Sequence, residues 1–357
     1  MLPNKTIMLK ITQTSGNKGE RLGGDGEARM RHARILLAVL AGVLCVGMAF
    51  APLAAAQDYP ARPITLVVPF APGGGVDQMA RLIAGKLEQR LGKSFVIENK
   101  PGAGSIIAAT YVQKSNPDGY TLLMAPAPTM AVNVSLYKNL PYDPTSDFSL
   151  IGLLSGTPFV LMVNVDLPVK SVPDLLAYAK ANPDKMVFAS AGPGVPHHLF
   201  MELFMTMTGM KASHVPYRGS LPALNDLVAG HIPMMFSDLG PATGLLEAKR
   251  VRPLGISTKT RHPSFPDIPS LGDAVPGFEA VSWQAIAAPA QTPRPILDKL
   301  NAEITAVLAM PEVKEQTLKY GFLPLQNRSI DELKEFVKSE IVRWGKVVRD
   351  AGIAGSQ

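Results

Sequence analysis

The stretch from Ile64 to Asp77, ITLVVPFAPGGGVD, decides the fold. Its first five residues are almost continuously apolar, which is typical of a strand buried on both faces. Three glycines follow, and apolar residues then recur at helical spacing from Met79 to Leu91, where Gly92 ends the pattern. A buried strand joined through a glycine-rich loop to an amphipathic helix predicts the first unit of an α/β sheet.

The same alternation continues along the chain. Further strands are predicted over residues 94–98 and 121–125, with a helix over residues 106–114 between them. This βαβαβ order predicts a parallel sheet with right-handed crossovers. A second set of strands is predicted over residues 159–163, 186–191, 214–217, 232–236 and 251–256, alternating with helices that open at Pro173, His197 and Pro222.

Two helices are predicted to close the chain, over residues 296–309 and 330–350. The last one has an apolar stripe with steps of three and four, made by Ile330, Leu333, Val337, Ile341, Trp344 and Val348. Such a stripe faces a core. Trp344 is therefore predicted to pack rather than to contact a ligand.

Length and composition exclude several classes of protein. The chain has 357 residues, 46% of them hydrophobic and 18% charged, with a mean hydropathy of +0.14. These values predict about two globular domains and exclude a disordered or collagenous chain. One cysteine, six histidines and no basic block argue against a zinc module or a nucleic-acid-binding arm.

The N-terminal region has the pattern of a secretory signal peptide. Arg29, Arg31 and Arg34 precede a charge-free stretch over residues 35–57, which closes with three alanines ending at Ala56. Cleavage there would leave Gln57 as the mature N-terminus, and export predicts a periplasmic location. An uncleaved membrane anchor is the alternative, since the stretch is long enough to span a bilayer. Met30 is an alternative start of the chain.

Removal of residues 1–56 also changes the charge and the cysteine count. That segment holds seven Lys and Arg and three Asp and Glu, which leaves 28 against 26 and a net charge of +2. Cys45 is the only cysteine, and Leu44 before it argues against lipidation. The mature chain would have no cysteine, and its charge gives no reason to expect nucleic acid or an acidic membrane as a partner.

Two loops carry the predicted chemistry, over residues 70–77 and 190–197. Each joins a strand to a helix N-terminus through glycines. Ligands of open α/β sheets bind beyond the carboxyl ends of the strands, where free amides and the helix dipole favour an anion. Two such loops in separate halves of the chain predict a cleft that holds an anion from both sides.

Competing interpretations fit less well. Gln78 stands where a dinucleotide fingerprint has its third glycine, although Glu98 ends the next strand as a ribose-binding acid would. No Gly-x-Ser-x-Gly motif of a serine hydrolase is present. His197 and His198 are adjacent and point apart on a helix, so they cannot hold one metal ion together. We therefore predict no catalytic residues, no cofactor and no metal. Asp77 either caps its helix or contacts the ligand.

Several ordered motifs between Tyr59 and Ile353 carry a resemblance to a known family. They are YPARPI from Tyr59, PFAPGG from Pro69, ENKPGAG from Glu98, PDGYTL from Pro117, LPYDP from Leu140, VPYRG from Val215 and PAQTP from Pro289, with residues 344–353 closing the series. On these motifs the chain resembles the Bug-type periplasmic solute-binding proteins, the substrate-binding components of tripartite tricarboxylate transporters.

The resemblance implies a type II periplasmic-binding-protein fold, in which two α/β lobes joined by a two-crossing hinge close on a small carboxylate without catalysis. It implies ligand binding by Phe70, Ala71, Gly74, Asp77 and Thr129 of the first lobe and by Ser190, Gly194, His198, Tyr217 and Asp238 of the second. The chain departs from the family pattern at residues 127–130, at Pro193, at Val195 and Pro196, and at Ser237 and Asp238, where the usual acid comes one place later.

These observations predict a division of the chain into four segments. Residues 1–56 form an upstream extension with the signal peptide, residues 57–158 the first part of lobe 1, residues 159–280 lobe 2, and residues 281–357 a return to lobe 1. The expected protein is a monomer that binds a small carboxylate, namely a dicarboxylate or tricarboxylate, an amino acid or an aromatic acid, and delivers it to membrane transporter subunits. An orphan receptor that signals to a sensor kinase is an alternative, and an exported α/β enzyme a more distant one.

Overall fold

The computed structural model describes residues 59–357, and the predicted signal peptide lies outside the described residues. Within this part of the chain the strands form one mixed, curled sheet. The strands are β1 (Ile64–Val68), β2 (Phe95–Asn99), β3 (Thr121–Pro126), β4 (Phe148–Asn164), β5 (Val187–Ser190), β6 (Ser213–Pro216), β7 (Met234–Asp238), β8 (Val251–Ile256), β9 (Val281–Pro289) and β10 (Leu323–Pro324). Their order is β2-β1-β3-β9-β4-β7-β5-β6, and both β8 and β10 pair with β4.

The helices cover both faces of this sheet. They are α1 (Gly75–Leu91), α2 (Ile106–Gln113), α3 (Asn133–Leu136), α4 (Val172–Ala181), α5 (Pro196–Thr208), α6 (Ser220–Ala229), α7 (Leu239–Glu247), α8 (Leu271–Ala274), α9 (Arg294–Ala309), α10 (Pro311–Lys319) and α11 (Ile330–Asp350). Short helical turns lie at Ala103–Ser105, Pro128–Val132 and Pro183–Lys185. The sequence pattern missed the helices α3, α7, α8 and α10 and the strands β9 and β10, and it placed the start of α6 two residues too late.

The two predicted parallel units are confirmed and form two α/β lobes. In the first lobe, β1 pairs in parallel with both β2 and β3. In the second lobe, β5 pairs in parallel with both β6 and β7. The loops that follow β1 and β5 therefore lie at the carboxyl ends of their strands, where α/β proteins bind ligands.

Two long strands run between the lobes, and the sequence pattern underestimated the first of them. β4 extends over 17 residues, whereas apolar residues alone predicted only 159–163. Gly152, Gly156 and Pro158 are residue types typical of loops, but all three lie within β4 and pair with β9. The pairing register shifts near Leu150 and near Leu153. β4 and β9 pair antiparallel over nearly the whole length of β9, and β9 also pairs antiparallel with β3.

The final helix α11 packs where its stripe predicts, with Trp344 only 2% exposed. Its ring stacks on Phe200 of α5 at 5.5 Å between centroids. The indole nitrogens of Trp344 and Trp283 both donate to the buried Glu340 carboxylate, at 2.9 and 2.8 Å. Helix α11 also packs against the segment that follows β3, so it contacts elements on both sides of the crossing strands.

Among residues 59–357, none of the helices combines the length and the apolar character needed to cross a membrane.

Candidate functional site

A cavity of about 470 Å³ lies where the glycine-rich loops of the two lobes face each other. Its volume falls in the range of roughly 300–1,000 Å³ that is usual for small-molecule sites. Residues from both lobes line it, among them Phe70, Gly74, Gly75, Val76, Ser105, Asn133, Leu136, Tyr137 and Phe322 from the first and Ala191, Pro193, Gly194, His197, Ser220 and Asp238 from the second.

The first wall is the N-terminus of α1. Gly74 is the N-cap residue, and the first hydrogen bond of the helix runs from the Gln78 amide to the Gly74 carbonyl at 2.9 Å. The amides of Gly75 and Val76, which line the cavity, therefore have no acceptor within the helix. Gly74 is extended, at φ −75° and ψ 167°, and a Cβ there would meet nothing closer than the Ala71 carbonyl at 3.9 Å. This wall is open for a ligand to approach the backbone.

Asp77 holds the first loop in shape. Its buried carboxylate accepts from the Gly73 amide at 2.9 Å, from Arg81 Nε at 2.9 Å and from Asn99 Nδ2 at 2.9 Å. Asn99 also donates to the Phe70 carbonyl at 2.9 Å. Burial pushes the pKa of Asp77 upward, but these hydrogen bonds outweigh burial and hold that pKa below its usual value. Asp77 binds its own loop rather than capping α1.

The second wall is the loop between β5 and α5, which is held by hydroxyl and imidazole groups. Ser190 Oγ donates to the Gly192 carbonyl at 2.8 Å and lies 2.6 Å from His214 Nε2. His198 Nδ1 accepts from the Gly194 amide at 3.1 Å. Gly194 has φ +70°, and a Cβ there would overlap the Leu136 side chain of the first lobe. Glycine is thus required at this position both for backbone conformation and for close approach.

The two imidazoles beneath this loop form a stack. The rings of His198 and His214 are 3.8 Å apart and inclined by 11°, and the Phe188 ring stacks against both of them, at 4.9 Å from His214 and 5.9 Å from His198. Burial, with a contribution from His198, lowers the pKa of His214 to about 4. A neutral His214 is therefore part of the folded loop at physiological pH.

His197, unlike its neighbour, faces the cavity. The residue is only 8% exposed, and neither ring nitrogen has a hydrogen-bond partner among the described residues. Nε2 lies 3.2 Å from Asp238 Oδ1, close enough for charge pairing but outside hydrogen-bond geometry. The ring of Phe159 meets it edge-on at 5.1 Å. His197 thus belongs to the lining of the cavity, while its two ring nitrogens are covered by protein.

The crossing strands provide further polar groups of the lining. Thr157 on β4 pairs with Ser282 on β9, and Gln284 on β9 pairs with Ser155 on β4. Gln284 Nε2 donates to Thr157 Oγ1 at 3.3 Å, while Gln284 Oε1 is buried without a partner among the described residues. Thr157, Ser282 and Gln284 all line the cavity. Ligand contacts to this region would reach both lobes at once.

The ten residues predicted as ligand contacts divide into two groups. Phe70, Gly74, Gly194 and Asp238 line the cavity. The other six lie behind or beside the lining, and most of them hold the loops. They are Ala71, Asp77, Thr129, Ser190, His198 and Tyr217. Direct contact by these six stays a prediction.

Two of those six have defined surroundings, although the Thr129 hydroxyl is buried without a hydrogen-bond partner among the described residues. Tyr217 donates its hydroxyl to Asp226 at 2.6 Å, and burial together with Asp226 raises the pKa of Tyr217 to about 12. The Thr129 carbonyl accepts from the Tyr142 hydroxyl at 2.8 Å, and Thr129 is fully buried.

Sequence reasoning missed the polar lining residues His197, Gln284, Ser282, Thr157 and Ser220. Ser220 opens α6 directly after the Arg218-Gly219 turn, so the loop-to-helix pattern used for the other two loops identifies it. The strand residues carry no such signal, because polar side chains within an apolar strand become meaningful only once the cavity is known. Among residues 59–357, no group of three His, Cys, Asp or Glu is placed to hold a metal ion.

Comparison with known proteins agrees with this geometry. A family profile described as the tripartite tricarboxylate transporter family receptor, TctC, matches residues 79–353. The protein from the tcbD-tcbE intergenic region of Pseudomonas sp. (strain P51) is 38% identical over 322 residues, which cover 89% of this chain and 95% of that protein.

Solved structures give the same result. The R. palustris protein Rpa4515 with adipate is 40% identical, with a TM-score of 0.75, and the match covers 83% of this chain and 99% of that one. The periplasmic binding protein BugD is 34% identical, with a TM-score of 0.72 and the same coverage. Family and structural neighbours are binding proteins rather than enzymes. With two α/β lobes facing one cavity and a family match over most of its length, the chain belongs to the TctC/Bug family of periplasmic solute-binding receptors.

Proposed function

We propose that this protein is exported by a cleaved signal peptide, binds a small carboxylate between its lobes in the periplasm, and delivers it as a monomer to the membrane subunits of a tripartite tricarboxylate transporter. The observation that carries the proposal is the pairing of two helix N-termini, those of α1 and α5, across one cavity. Helix N-termini bind anions through free amides and the helix dipole.

The hydrogen-bond donors of the site can account for a micromolar affinity. A micromolar dissociation constant corresponds to about −8 kcal/mol. Each hydrogen bond to a charged group contributes roughly 1.5–3 kcal/mol before the costs of ordering the ligand. Three or four bonds from loop amides, Ser105 and Ser282 would therefore suffice. Adipate in Rpa4515, a relative at 40% identity, supports a carboxylate as the ligand.

Ligand binding is expected to close the lobes. In the proposed division, the chain crosses from lobe 1 (57–158) to lobe 2 (159–280) near residues 156–158 and returns near residues 281–287. A ligand that contacts both walls binds the closed form better and shifts the population toward it. Small-angle scattering should then show a smaller radius of gyration at ligand saturation, and an unchanged profile would contradict closure.

The decisive experiment is to identify the ligand on protein purified from the periplasm. Native mass spectrometry should show a retained organic acid, and intact mass should give Gln57 as the first residue. The ligand-free protein should then show thermal shifts with members of a carboxylate panel and no turnover of any of them. Retention of residues 1–56 would contradict the proposed export, and a panel without a single thermal shift would contradict carboxylate binding.

A Gly74→Val variant tests whether the ligand binds at the N-terminus of α1. A Cβ at Gly74 meets no protein atom closer than 3.9 Å, so the fold should tolerate the side chain while it occupies the space next to the α1 amides. We expect an unchanged melting temperature without ligand and no thermal shift with the carboxylate that binds the wild type. Normal binding by Gly74→Val would place the ligand elsewhere.

A further inference from the structure

We propose that the hydroxyl of Ser105 binds a carboxylate oxygen of the ligand, and that the turn over residues 102–105 holds this serine in a left-handed backbone conformation for that purpose. The turn follows β2 and leads into α2, outside the two glycine-rich loops described above. The inference rests on the proposed function and adds to it a binding residue that is kept at a cost in stability.

The backbone of this turn is unusual. Gly102, Ala103, Gly104 and Ser105 have φ values of +121°, +46°, +59° and +76°. Among residues 59–357, three residues other than glycine have a positive φ, and two of them belong to this turn. A residue with a β-carbon adopts the left-handed conformation at a cost in stability, and residues strained in this way cluster at functional sites. Whether the strain serves binding depends on where each side chain lies.

Neighbouring groups hold the turn in its conformation. Asn133 Nδ2 donates to the Gly104 carbonyl at 2.9 Å, and the Ser105 amide donates to the Gly102 carbonyl at 3.0 Å. A Cβ at Gly104 would overlap the Tyr137 hydroxyl, so the glycine lets the turn pack closely against that ring. These contacts fix the backbone of Ser105 and therefore the direction of its side chain.

The side chain of Ser105 is buried but has no partner in the protein. The residue is only 4% exposed and lines the cavity. It is the N-cap residue of α2, yet its hydroxyl makes no capping hydrogen bond. Unlike the ring nitrogens of His197, the Ser105 hydroxyl is not among the polar atoms that protein covers within the described residues. Since a buried hydroxyl normally has a partner, the cavity is where its partner binds.

The other two residues with a left-handed backbone differ from Ser105 in their surroundings. Ala103 and Lys249 are exposed, and neither lines the cavity. Their conformation shapes a surface turn and presents no polar group to a ligand. Ser105 therefore combines the strained backbone with a position in the binding site.

Ser105 lies close to the anion-binding groups already described. Because β1 and β2 pair in parallel, the segments that follow them emerge at the same edge of the sheet, and Asn99 at the end of β2 donates to the Phe70 carbonyl. Ser105 and the helix-opening residues Gly75 and Val76 line one cavity. A serine hydroxyl can donate one hydrogen bond, and a bond to a carboxylate is stronger than one to a neutral acceptor.

The test compares Ser105→Ala with Ser105→Gly in the mature protein freed of ligand. Six acids are first screened by thermal shift, namely adipate, malate, citrate, glutamate, benzoate and 4-hydroxybenzoate, and the one with the largest shift is used for isothermal titration. Ser105→Ala removes the hydroxyl and keeps the strained β-carbon. We expect its affinity to fall about tenfold, which corresponds to about 1.4 kcal/mol, with a nearly unchanged melting temperature of the ligand-free protein.

Ser105→Gly should change stability and affinity in opposite directions. It removes the hydroxyl and also the strain, since the left-handed backbone costs serine more than the extra freedom of an unfolded glycine does. We expect the melting temperature of the ligand-free protein to rise by about 2 °C while affinity falls at least as far as in Ser105→Ala. A purely structural serine would affect the melting temperature alone.

Lys249→Gly is the matched control. It relieves a left-handed backbone, at φ +53°, at an exposed position outside the cavity lining. Its melting temperature should rise as that of Ser105→Gly does, and its affinity for the same acid should equal that of the wild type.

The outcomes distinguish this inference from the proposed function. Wild-type affinity in Ser105→Ala, or a Ser105→Gly variant that gains stability without losing affinity, overturns the role of Ser105 and leaves the receptor function standing. A wild-type protein that shows no thermal shift with any of the six acids contradicts carboxylate binding, and the role of Ser105 falls with it.

Discussion

The two glycine-rich loops resemble each other in sequence, but different forces hold them in the fold. The first, over residues 70–77, is tied down by the charged Asp77, which Arg81 and Asn99 hold from the side. The second, over residues 190–197, rests on the stacked rings of His198 and His214 and on Ser190. Gly74 in the first loop leaves space for a ligand, whereas Gly194 in the second loop leaves space for the Leu136 side chain of the first lobe.

The positions of Gly74 and Gly194 show this difference directly. Gly74 has an extended backbone and open space beside it, so its missing Cβ matters only when a ligand arrives. Gly194 has a positive φ and presses against Leu136 of the opposite lobe. Gly194 therefore lies where the two lobes come close together, whereas Gly74 faces open space.

The largest expected effect is therefore at Gly194. Gly194→Val should abolish ligand binding and lower the free energy of unfolding, since the left-handed backbone alone costs about 1–2 kcal/mol and overlap with Leu136 adds to that cost. Gly74→Val should abolish binding at nearly unchanged stability. Urea unfolding and titration of both variants measure the asymmetry.

A Leu136→Ala background separates the cost of overlap with Leu136 from the cost of the backbone conformation. If overlap with Leu136 is part of the cost, Gly194→Val should destabilise the Leu136→Ala protein less than it destabilises the wild type. Equal costs in the two backgrounds would show that the backbone conformation alone is responsible. Equal stability of Gly74→Val and Gly194→Val would contradict the comparison between the loops.

The next effect concerns Asp77 in the first loop. Asp77→Ala removes the buried carboxylate that accepts from the Gly73 amide, Arg81 and Asn99, and a hydrogen bond to a charged group contributes roughly 1.5–3 kcal/mol. Urea unfolding should show a loss in that range. Asp298→Asn is the control, because its ion pair with Arg294 is exposed on both sides and such pairs contribute little. A loss no greater than that of the control would mean that Asp77 does not hold the loop.

The last expected effect is a difference in acid sensitivity, which develops only as the pH falls below 6.5. The pKa of His214 is lowered from 6.5 to about 4 in the fold, so the unfolded chain binds a proton first as the pH falls. Stability should therefore decline between pH 6.5 and 4, by up to about 1.4 kcal/mol per pH unit. The pKa of Asp77 is also lowered, from 3.8, and its contribution should be lost only as the pH falls below that value.

A His214→Phe variant isolates this contribution. Phenylalanine preserves stacking on Phe188 and cannot titrate, so urea unfolding of the variant should lose less stability between pH 6.5 and 4 than the wild type does. Substitution of His231, whose side chain is 72% exposed, with asparagine is the control for removal of one histidine. Parallel pH profiles of wild type and His214→Phe would contradict a neutral, buried His214.

Much of the fold could be predicted from local patterns. The strand at residues 64–68 and its helix are visible because burial on both faces and helical period each leave a signature in sequence. The long strand β4 was underestimated, because its glycines and proline are typical of loops, whereas pairing with β9 keeps Gly152, Gly156 and Pro158 within the strand. Helices α7 and α10 were missed, although each lies directly next to an element that was predicted.

The candidate site, like the fold, could be predicted from the sequence only in part. That two glycine-rich loops lead into helices, and that the family is one of solute-binding receptors, could be predicted from the sequence, because loop composition and ordered motifs are local properties. That His197 rather than His198 lines the cavity could not be predicted, because it depends on how the helix packs. The two histidines are neighbours on α5 and point about 100° apart, so the rotation of the helix, set by packing of Phe200 on Trp344, selects between them. The same holds for Asp238, whose place beside His197 follows from the pairing of β4 with β7.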